Sequence, residues 1–309
     1  MQIQGKWLLY TAIEADVGKM LEAVLKETLQ ISGRRLQKLT RSKGIIVNQK
    51  KAHLNKIVKL GDQIKVRIEE NQAPEIAPIA MELDVLYEDE WLCVINKPAG
   101  MKTYAVDHKD DVTLANGIHH YFKSQGSSPH IHFVHRLDTN TSGAILVAKN
   151  SYAHHLLDQQ LKTNKISRTY IAVVEGELPE ERGVIEFPIG RADERTNKRC
   201  VSENGEYART LYQCLYRTKD FSVAEVTLDT GRTHQIRVHF SHIGHPLVGD
   251  RLYGKASRAI QRQALHAHKL SWENVQTGNS QSAVCELPQD MIQLLHACQL
   301  YVQAFAQEE

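Results

Sequence analysis

Long apolar runs are missing from this sequence of 309 residues. No segment reaches the roughly 20 consecutive apolar residues that a membrane-spanning helix needs, and the first residues lack the pattern of a secretory signal. Cysteine is scarce and scattered, without a C-x-x-C pair, at Cys93, Cys200, Cys214, Cys285 and Cys298. Neither a disulfide framework nor a zinc knuckle is indicated. We therefore expect a folded cytoplasmic protein whose cysteines serve in packing.

A large net charge is missing as well, but the charge is unevenly distributed. The whole chain carries 38 Lys and Arg against 36 Asp and Glu. Residues 1–70 hold 14 of the cations and 7 of the anions, a balance of +7, whereas the rest of the chain has a balance of −5. A basic segment of this kind typically meets a polyanion. The amino-terminal end is therefore the predicted nucleic-acid-binding part.

The basic end predicts a small α+β domain. Apolar residues recur at three- and four-residue spacing over residues 17–29, which predicts an amphipathic helix. Ser32 can cap a second helix over residues 33–43. The strand-like segments GIIVN and KIVKLGDQIKVRI follow, with turn residues between them. We place this domain at residues 1–70 and a proline-containing linker at residues 71–80.

The second predicted helix carries most of the basic surface. Arg34, Lys38 and Arg41 fall on one helical face, and Arg35 and Lys43 lie in the same stretch. The segment SGRRLQKLTRSKGIIVNQKKAHLNKIVKLGDQI resembles the ribosomal-protein S-four-type RNA-binding domain, also called the alpha-L module. The resemblance implies that these cations bind RNA phosphates, with salt-dependent affinity and little sequence information. Charge alone is equally compatible with a small domain that has a solvated basic face.

Residues 81–309 alternate strands and helices. The strand-like segments are LDVLYEDEWLCVINKP, IHFV, AILVA, TYIAVVEG, RTLYQCLYR and FSVAEVTLD. Helices are predicted near residues 112–124, 151–163 and 288–306, and a short one follows Gly231. This part is long enough to form one large domain with its own core.

Three polar segments of this larger part could carry chemistry. HRLDTNTSG joins two strands and is rich in groups that bond to their own backbone, so it could hold Asp138 rigidly, although such aspartates are often only turn residues. LDTGRTHQIRVH places Arg232 in a loop and Arg237 at the start of a helix, where each needs an anion as partner. In RTYIAVVEG, Tyr170 lies on a strand, where a tyrosine is more often core than catalytic.

These segments, in this order, resemble the RluA-type pseudouridine synthases. HRLDTNTSG matches the arginine-leucine-aspartate motif of that family, RTYIAVVEG matches its [KR]-x-Y motif, and LDTGRTHQIRVH matches its third motif. VINKPAG and ALHAHKLSW match as well, so that the resemblance covers about residues 81–300. It implies an α+β fold with a mixed, mainly antiparallel sheet, flanking helices and a central cleft. It also implies an enzyme that isomerises uridine to pseudouridine in RNA without a cofactor or metal.

The resemblance implies roles for individual residues. Asp138 would be the nucleophile that attacks the target uridine, Arg136 would assist extrusion of the base, and Tyr170 would stack on the uracil. Arg237 is the expected partner of Asp138, with Arg232 as the alternative. Three accounts of the first step remain open: attack on the sugar, addition to the ring and departure through a glycal. All three use the same aspartate.

Substrate contacts are expected from further residues. Asn96 and Lys97 of VINKPAG are placed on the pocket floor, and Arg232 is expected to bind substrate as well. The stretch MKTYAVD after NKPAG departs from the family pattern, which puts contacts at the pocket edge in doubt. Ribosomal RNA is the preferred substrate, transfer RNA is the second choice, and no protein partner is predicted.

Two other functions remain as alternatives. A non-catalytic RNA-binding or ribosome-assembly protein on the same fold would need the arginines, but it would not need a carboxylate that faces phosphates. A metallohydrolase would use histidines, of which the sequence has two groups: His130, His132 and His135, then His234, His239, His242 and His245. No H-E-x-x-H or comparable carboxylate spacing accompanies them.

Overall fold

The computed structural model describes residues 1–68, 76–105, 112–126, 130–193 and 197–297. Part of the predicted linker, the end of the predicted carboxyl-terminal helix and Cys298 lie outside the described residues. No helix within the described ranges has the length and apolar character to cross a bilayer.

The N-terminal domain, residues 1–68, has a five-stranded antiparallel sheet. Its strands are β1 (Gln2–Gln4), β2 (Trp7–Thr11), β3 (Ile45–Val47), β4 (Lys50–Lys51) and β5 (Gln63–Arg67), in the order β1-β2-β5-β3-β4. The helical layer contains a 3-10 turn (Glu14–Asp16), α1 (Leu21–Ala23), which continues as a π-helical turn (Val24–Thr28), and α2 (Gly33–Arg41).

Both predicted helices of this domain are shorter in the structure. The first begins at Leu21 and not at residue 17, because Gly18 has a φ of +82° and Met20 is extended. The second is capped by Ser32 as predicted, since its Oγ accepts a hydrogen bond from the Arg35 amide. It ends at Arg41, so that Lys43 lies beyond the helix.

The C-terminal domain, described from residue 76 to residue 297 with the gaps given above, is built on a ten-stranded sheet. Its strands are β6 (Asp84–Glu88), β7 (Leu92–Lys97), β8 (His132–Phe133), β9 (Ser142–Ala148), β10 (Ser167–Glu175), β11 (Arg182–Glu186), β14 (Arg209–Arg217), β15 (Phe221–Leu228), β16 (Leu265–Glu273) and β17 (Ser280–Val284). A separate hairpin consists of β12 (Ile189–Arg191) and β13 (Arg199–Val201). The helices are α3 (Leu114–Ser124), α4 (Ser151–Lys162), α5 (Gln235–His242) and α6 (Gln289–Ala297).

The order of strands brings the three polar segments together. It runs β11-β14-β15-β10-β16-β9-β7-β6, with β17 paired to β16 and β8 paired to β9. HRLDTNTSG leads into β9, Tyr170 is on β10, and LDTGRTHQIRVH follows β15, so that all three lie near the middle of the sheet. Strands β9 and β16 pair in parallel, and the other pairs of described strands are antiparallel. The predicted mixed, mainly antiparallel α+β fold is confirmed.

The parallel pair explains the glycine of the first polar segment. Gly143 has a φ of +113°, and a Cβ atom there would lie 2.3 Å from the carbonyl oxygen of Ala267 on β16. Only a residue without a side chain allows the two backbones to approach this closely. The loop that contains Asp138 therefore ends on a fixed point of the sheet.

The two domains share one hydrophobic core. Leu8, Leu29 and Ile68 of the N-terminal domain belong to the same buried cluster as Trp91 and Tyr152 of the C-terminal domain. Burial of large apolar side chains is the main favourable term in folding. The domains therefore stabilise each other through contact and not only through the chain that joins them.

Candidate active site

Asp138 lies at the wall of a cavity of about 400 Å³ and is held there by its own loop and by the neighbouring one. The Thr141 amide donates to the Asp138 carbonyl at 3.0 Å, and the Gly100 amide donates to the Thr139 carbonyl at 2.9 Å. Gln263, which precedes β16, donates from its Nε2 to Thr141 Oγ1 at 3.1 Å. The loop is thus rigidly supported and more than an ordinary turn.

Arg237 is the partner of the Asp138 carboxylate. Its NH1 group donates to Asp138 Oδ2 at 3.0 Å. Its Nε and NH2 groups donate to both oxygens of the buried Asp250, at 2.7 and 2.9 Å. Burial opposes the charge of this guanidinium, but the hydrogen bonds and charge of Asp250, with the charge of Asp138, outweigh it and raise the pKa of Arg237. A permanently charged guanidinium is therefore fixed beside the carboxylate.

Arg232, the alternative partner, faces the other way. Its guanidinium pairs with Glu206, and its Nε donates to the Tyr207 carbonyl at 3.0 Å. The residue lines the cavity at its exposed side. Of the two arginines that sequence reasoning left open, the structure pairs Arg237 with Asp138.

His234 and Tyr253 complete the surroundings of the carboxylate. His234 has a left-handed backbone, with φ +59°, and its Nε2 lies 3.8 Å from Asp138 Oδ2. Its Nδ1 shares a hydrogen bond of 2.8 Å with the Tyr253 hydroxyl. The Tyr253 ring lies under the Arg237 guanidinium, at 5.0 Å. Burial lowers the pKa of His234, so the imidazole is neutral at neutral pH.

Tyr170 forms part of both the cavity wall and the core. It is only 5% exposed and packs in the apolar cluster around β10, while it lines the same cavity as Asp138. Burial is the first cause that raises the pKa of its hydroxyl, which is therefore protonated at neutral pH. The two interpretations of this tyrosine are thus compatible, since one face packs inward and another borders the cavity.

Two residues of the site were missed by sequence reasoning. Asp250 lies 13 residues after Arg237 and binds its guanidinium. The local sequence signal for Asp250 was an aspartate after apolar residues, in the stretch HPLVGD. Arg168 is buried at the cavity wall, where its NH2 donates to the Leu228 and Thr230 carbonyls at 3.3 Å. It is the first residue of RTYIAVVEG, and only Tyr170 of that segment had been considered.

Asn96 and Lys97 do not lie where they were expected. The Asn96 amide donates to Asp84 Oδ2 at 2.9 Å, on the neighbouring strand β6. Lys97 is fully buried, and its ammonium donates to three carbonyl oxygens at 3.0 Å, those of Pro98, Met101 and Thr139. Burial lowers the pKa of Lys97 to about 8. Neither side chain lines the cavity, because Lys97 supports the loops from behind and Asn96 braces the sheet edge.

Arg136 lies at the exposed rim of the cavity. Its guanidinium carbon is 5.8 Å from the centre of the Tyr104 ring, on the loop that follows β7. A cation over an aromatic face is a weak and adaptable contact when it is solvent-exposed. The residue is therefore placed where an arriving nucleic acid can reach it.

The five predicted RNA-binding cations divide into two groups. Arg34, Lys38, Arg41 and Lys43 are exposed, and the first three border a shallow depression on α2. Arg35 turns inward and donates to Ser151 Oγ at 2.6 Å and to the Ile68 carbonyl at 2.7 Å. Arg35 was expected on the same RNA-binding surface as the other four, but its side chain lies between the domains.

Two of the histidines considered for a metal site have structural partners in the fold. His239 lies between Thr210 Oγ1 and the Phe187 carbonyl, at 2.9 and 3.0 Å. His135 Nε2 accepts a hydrogen bond of 3.1 Å from the Leu146 amide. Within the described ranges, no three histidine, cysteine or carboxylate side chains are grouped as metal ligands.

Comparison with known proteins gives the family. Residues 92–242 match the family model for RNA pseudouridylate synthase. The uncharacterized RNA pseudouridine synthase YhcT of Bacillus subtilis is 39% identical over 303 residues, which covers 97% of this chain and 99% of the relative. The chain belongs to the RluA-type pseudouridine synthases.

Other relatives agree with this assignment. The ribosomal large subunit pseudouridine synthase D of Pseudomonas aeruginosa is 38% identical over 253 residues, which covers 77% of this chain and 79% of the relative. The solved structure of human RNA pseudouridylate synthase domain containing 4 is 25% identical and has a TM-score of 0.59, covering 71% of this chain and 94% of that one. The chain is therefore a pseudouridine synthase, an enzyme that isomerises uridine in RNA.

Proposed function

We propose that this pseudouridine synthase modifies specific uridines of ribosomal RNA, with Asp138 as the nucleophile. Relatives from Pseudomonas aeruginosa, Xylella fastidiosa and Yersinia pestis carry the name ribosomal large subunit pseudouridine synthase D, which supports ribosomal RNA as the substrate. Transfer RNA is the second substrate to test. A cytoplasmic location follows from this choice of substrate.

The observation that carries the proposal is the arrangement around Asp138. Its Oδ2 is held by Arg237, whereas its Oδ1 accepts no hydrogen bond from the described residues. The other cavity carboxylates are used differently, since Asp229 pairs with Arg209 and Asp158 pairs with Lys162 on the exposed side of α4. A nucleophilic carboxylate must be ionised and must have an accessible oxygen. Asp138 has one oxygen that accepts no such bond and a guanidinium beside the other, which supports this role.

The reaction itself exchanges one bond for another. The bond from C1′ of the ribose to N1 of the uracil breaks, the bond from C1′ to C5 forms, C5 loses a proton and N1 gains one. Asp138 would act by attack on the sugar or on the ring, and Arg237 would hold its carboxylate in position. No oxidation or reduction occurs in this exchange.

The size of the cavity supports extrusion of the uridine from its stack. A volume of about 400 Å³ is in the range of small-molecule sites, so that one nucleoside fits and a base-paired helix does not. Enzymes that act on a base commonly extrude it from the helix. Arg136 at the rim is placed to occupy the gap, and Tyr170 borders the space into which the uracil would enter.

The exposed cations of α2 would supply affinity for RNA without distinguishing one RNA sequence from another. Arg34, Lys38 and Arg41 form the basic face of α2, and phosphate contacts of this kind weaken as salt rises. Stacking and base contacts in the cavity would then select uridine.

Asp138→Asn tests the proposal because it keeps the size of the side chain and removes its charge. The assay uses ribosomal RNA from a strain that lacks the enzyme, and pseudouridines are mapped before and after incubation. We expect conversion to fall by at least ~10⁴-fold, as for other nucleophiles, with RNA affinity unchanged within about two-fold. Asp158→Asn, at the same cavity, serves as the matched control and should remain active.

Two results would contradict the proposal. An active Asp138→Asn enzyme would exclude this carboxylate as the nucleophile. A wild-type enzyme that converts no uridine in ribosomal RNA would exclude the substrate, and the same assay with transfer RNA would then show whether the alternative substrate applies.

A further inference from the structure

The N-terminal domain contacts the C-terminal, catalytic domain through a partly buried set of hydrogen bonds at the start of α4. The Arg35 guanidinium donates to Ser151 Oγ, the first residue of α4, at 2.6 Å, and to the Ile68 carbonyl at the end of the N-terminal domain, at 2.7 Å. Ser151 Oγ in turn donates to the Ile68 carbonyl at 2.8 Å. Three groups from both domains thus close a small hydrogen-bonded network.

A second contact lies beside the first and is fully buried. The hydroxyl of Tyr152, the next residue of α4, donates to the Leu29 carbonyl at 2.7 Å. The Tyr152 ring packs against Trp91 at 6.0 Å, within the core that both domains share. Hydrogen bonds in such surroundings are costly to leave unmade. These contacts therefore hold the N-terminal domain in one position.

The opposite end of α4 borders the active site. Asp158, Leu161 and Lys162, from its last turns, line the cavity that contains Asp138. The helix has 12 residues, so that its two ends are roughly 16 Å apart at 1.5 Å per residue. A single rigid helix therefore connects the docking point of the N-terminal domain to the cavity.

The basic face of α2 is fixed by the same contact. Arg34 and Arg35 are neighbours on α2, about 100° apart around the helix axis, and therefore point in different directions. Arg34 borders the exposed depression, whereas Arg35 reaches Ser151. Any shift of α2 relative to the catalytic domain would break the Arg35 contact.

We propose that Arg35 is a specificity-determining residue, because it locks the basic face of α2 at a set distance from Asp138 and so limits which uridines can enter the cavity. This inference rests on the proposed function, since it assumes that α2 binds the RNA that supplies the uridine. A freely tethered domain would raise the local RNA concentration without selecting a position. A docked domain holds its RNA-binding face at a fixed distance from the cavity, so that only uridines at the matching distance along the folded RNA can enter.

The test compares Arg35→Met with Arg34→Met. Both variants remove one positive charge from α2, and methionine retains an apolar stem. The RNA is protein-free ribosomal RNA from a strain that lacks the enzyme, and pseudouridines are mapped at every position. For Arg35→Met we expect at least a ten-fold loss of preference for the wild-type positions over other uridines. For Arg34→Met we expect weaker binding, a salt slope smaller by about 0.9 and unchanged positions.

Docking itself is measured without activity. Small-angle X-ray scattering of the full chain should give a larger radius of gyration for Arg35→Met than for the wild type or for Arg34→Met. Ser151→Ala and Tyr152→Phe each remove one hydrogen-bonding group between the domains. Both variants should increase the radius of gyration and reduce the preference for the wild-type positions. These two variants keep the inference testable if Arg35→Met does not fold.

The outcomes separate the inference from the proposed function. Unchanged scattering and unchanged positions in the folded variants would overturn the inference. The same is true if Arg35→Met only lowers the salt slope, because Arg35 would then be an RNA ligand. A wild-type enzyme without activity on this RNA would overturn the proposed function and the selectivity with it, but scattering would still decide whether Arg35 docks the domain.

Discussion

At the scale of the residue, the site depends on a buried carboxylate that does not line the cavity. Asp250 is buried and holds two nitrogens of Arg237, while the third nitrogen holds Asp138. Two backbone amides, those of Leu252 and Tyr253, donate to Asp250 Oδ1 at 3.0 and 3.3 Å. The position of the Asp138 carboxylate, the proposed nucleophile, is therefore set by a residue two contacts away.

Asp250→Asn should lower kcat by roughly 10²-fold with little change in KM, because a small displacement of Arg237 moves the carboxylate of Asp138, the proposed nucleophile. The free energy of unfolding should fall by about 3–5 kcal/mol, since the substitution leaves a buried guanidinium with one fewer charged partner. Steady-state kinetics on ribosomal RNA and urea denaturation measure the two effects. Asp158→Asn should change neither, and equal kinetic losses in both variants would refute the positioning role of Asp250.

The location of a single residue in the site was predictable from the sequence where a motif contains that residue. It was less predictable where the location depends on a partner far away in the chain. Asp138 and Arg237 were expected to pair, and they do. Lys97 was recognised within its motif, but nothing local indicates that its ammonium points inward to three carbonyl groups. Arg35 was taken as one more surface cation because the residue that it binds, Ser151, is 116 positions away.

At the scale of the element, the parallel pair β9 and β16 requires a close approach of two backbones at Gly143. Its two strands come from distant parts of the chain, with His266 opposite Ser142. Most strands were visible in the sequence as apolar segments, but which strands pair depends on contacts that local patterns do not contain. The first helix was predicted too long for a related reason, because the apolar spacing continues through Gly18, where the backbone does not.

Gly143→Ala should destabilise the protein by about 2–4 kcal/mol, because the new methyl group would overlap the backbone of Ala267 and the residue would be strained at positive φ. Urea denaturation gives the value. Gly18→Ala is the matched control, since Gly18 also has a positive φ but its Cβ position is open. We expect a cost of about 1 kcal/mol there. Equal costs for both variants would show that close strand approach is not the reason for Gly143.

At the scale of the whole molecule, the sequence predicted two domains and a linker, but not that the domains share a core. The apolar residues at the interface, such as Leu29 and Tyr152, have the same spacing as residues that pack within one domain. Periodicity identifies which face of a helix is buried and does not identify what covers it. The relative position of the domains was therefore beyond sequence reasoning.

The stability of the whole molecule at acid pH depends on buried histidines. His266 is fully buried between β9 and the segment before α6, where Nδ1 bonds Ser142 Oγ at 2.9 Å and Nε2 bonds the Cys285 carbonyl at 3.2 Å. Burial is the first cause that lowers its pKa from 6.5 to about 4. Between these two values the unfolded chain binds the proton more readily than the folded protein does. Folding stability should therefore be complete above pH 6.5 and fall as the pH drops toward 4.

His266→Gln removes this titration and should flatten the dependence of stability on pH. At pH 7.5 the variant should be less stable by about 1 kcal/mol, because one buried hydrogen bond is weakened. Between pH 6.5 and pH 4 the wild type should lose about 3 kcal/mol more than the variant, so that the two curves of unfolding free energy converge or cross. Urea denaturation at a series of pH values measures both curves, with the exposed His53→Gln as the control. If the curves of His266→Gln and the wild type stay parallel, a group other than His266 is responsible for acid sensitivity.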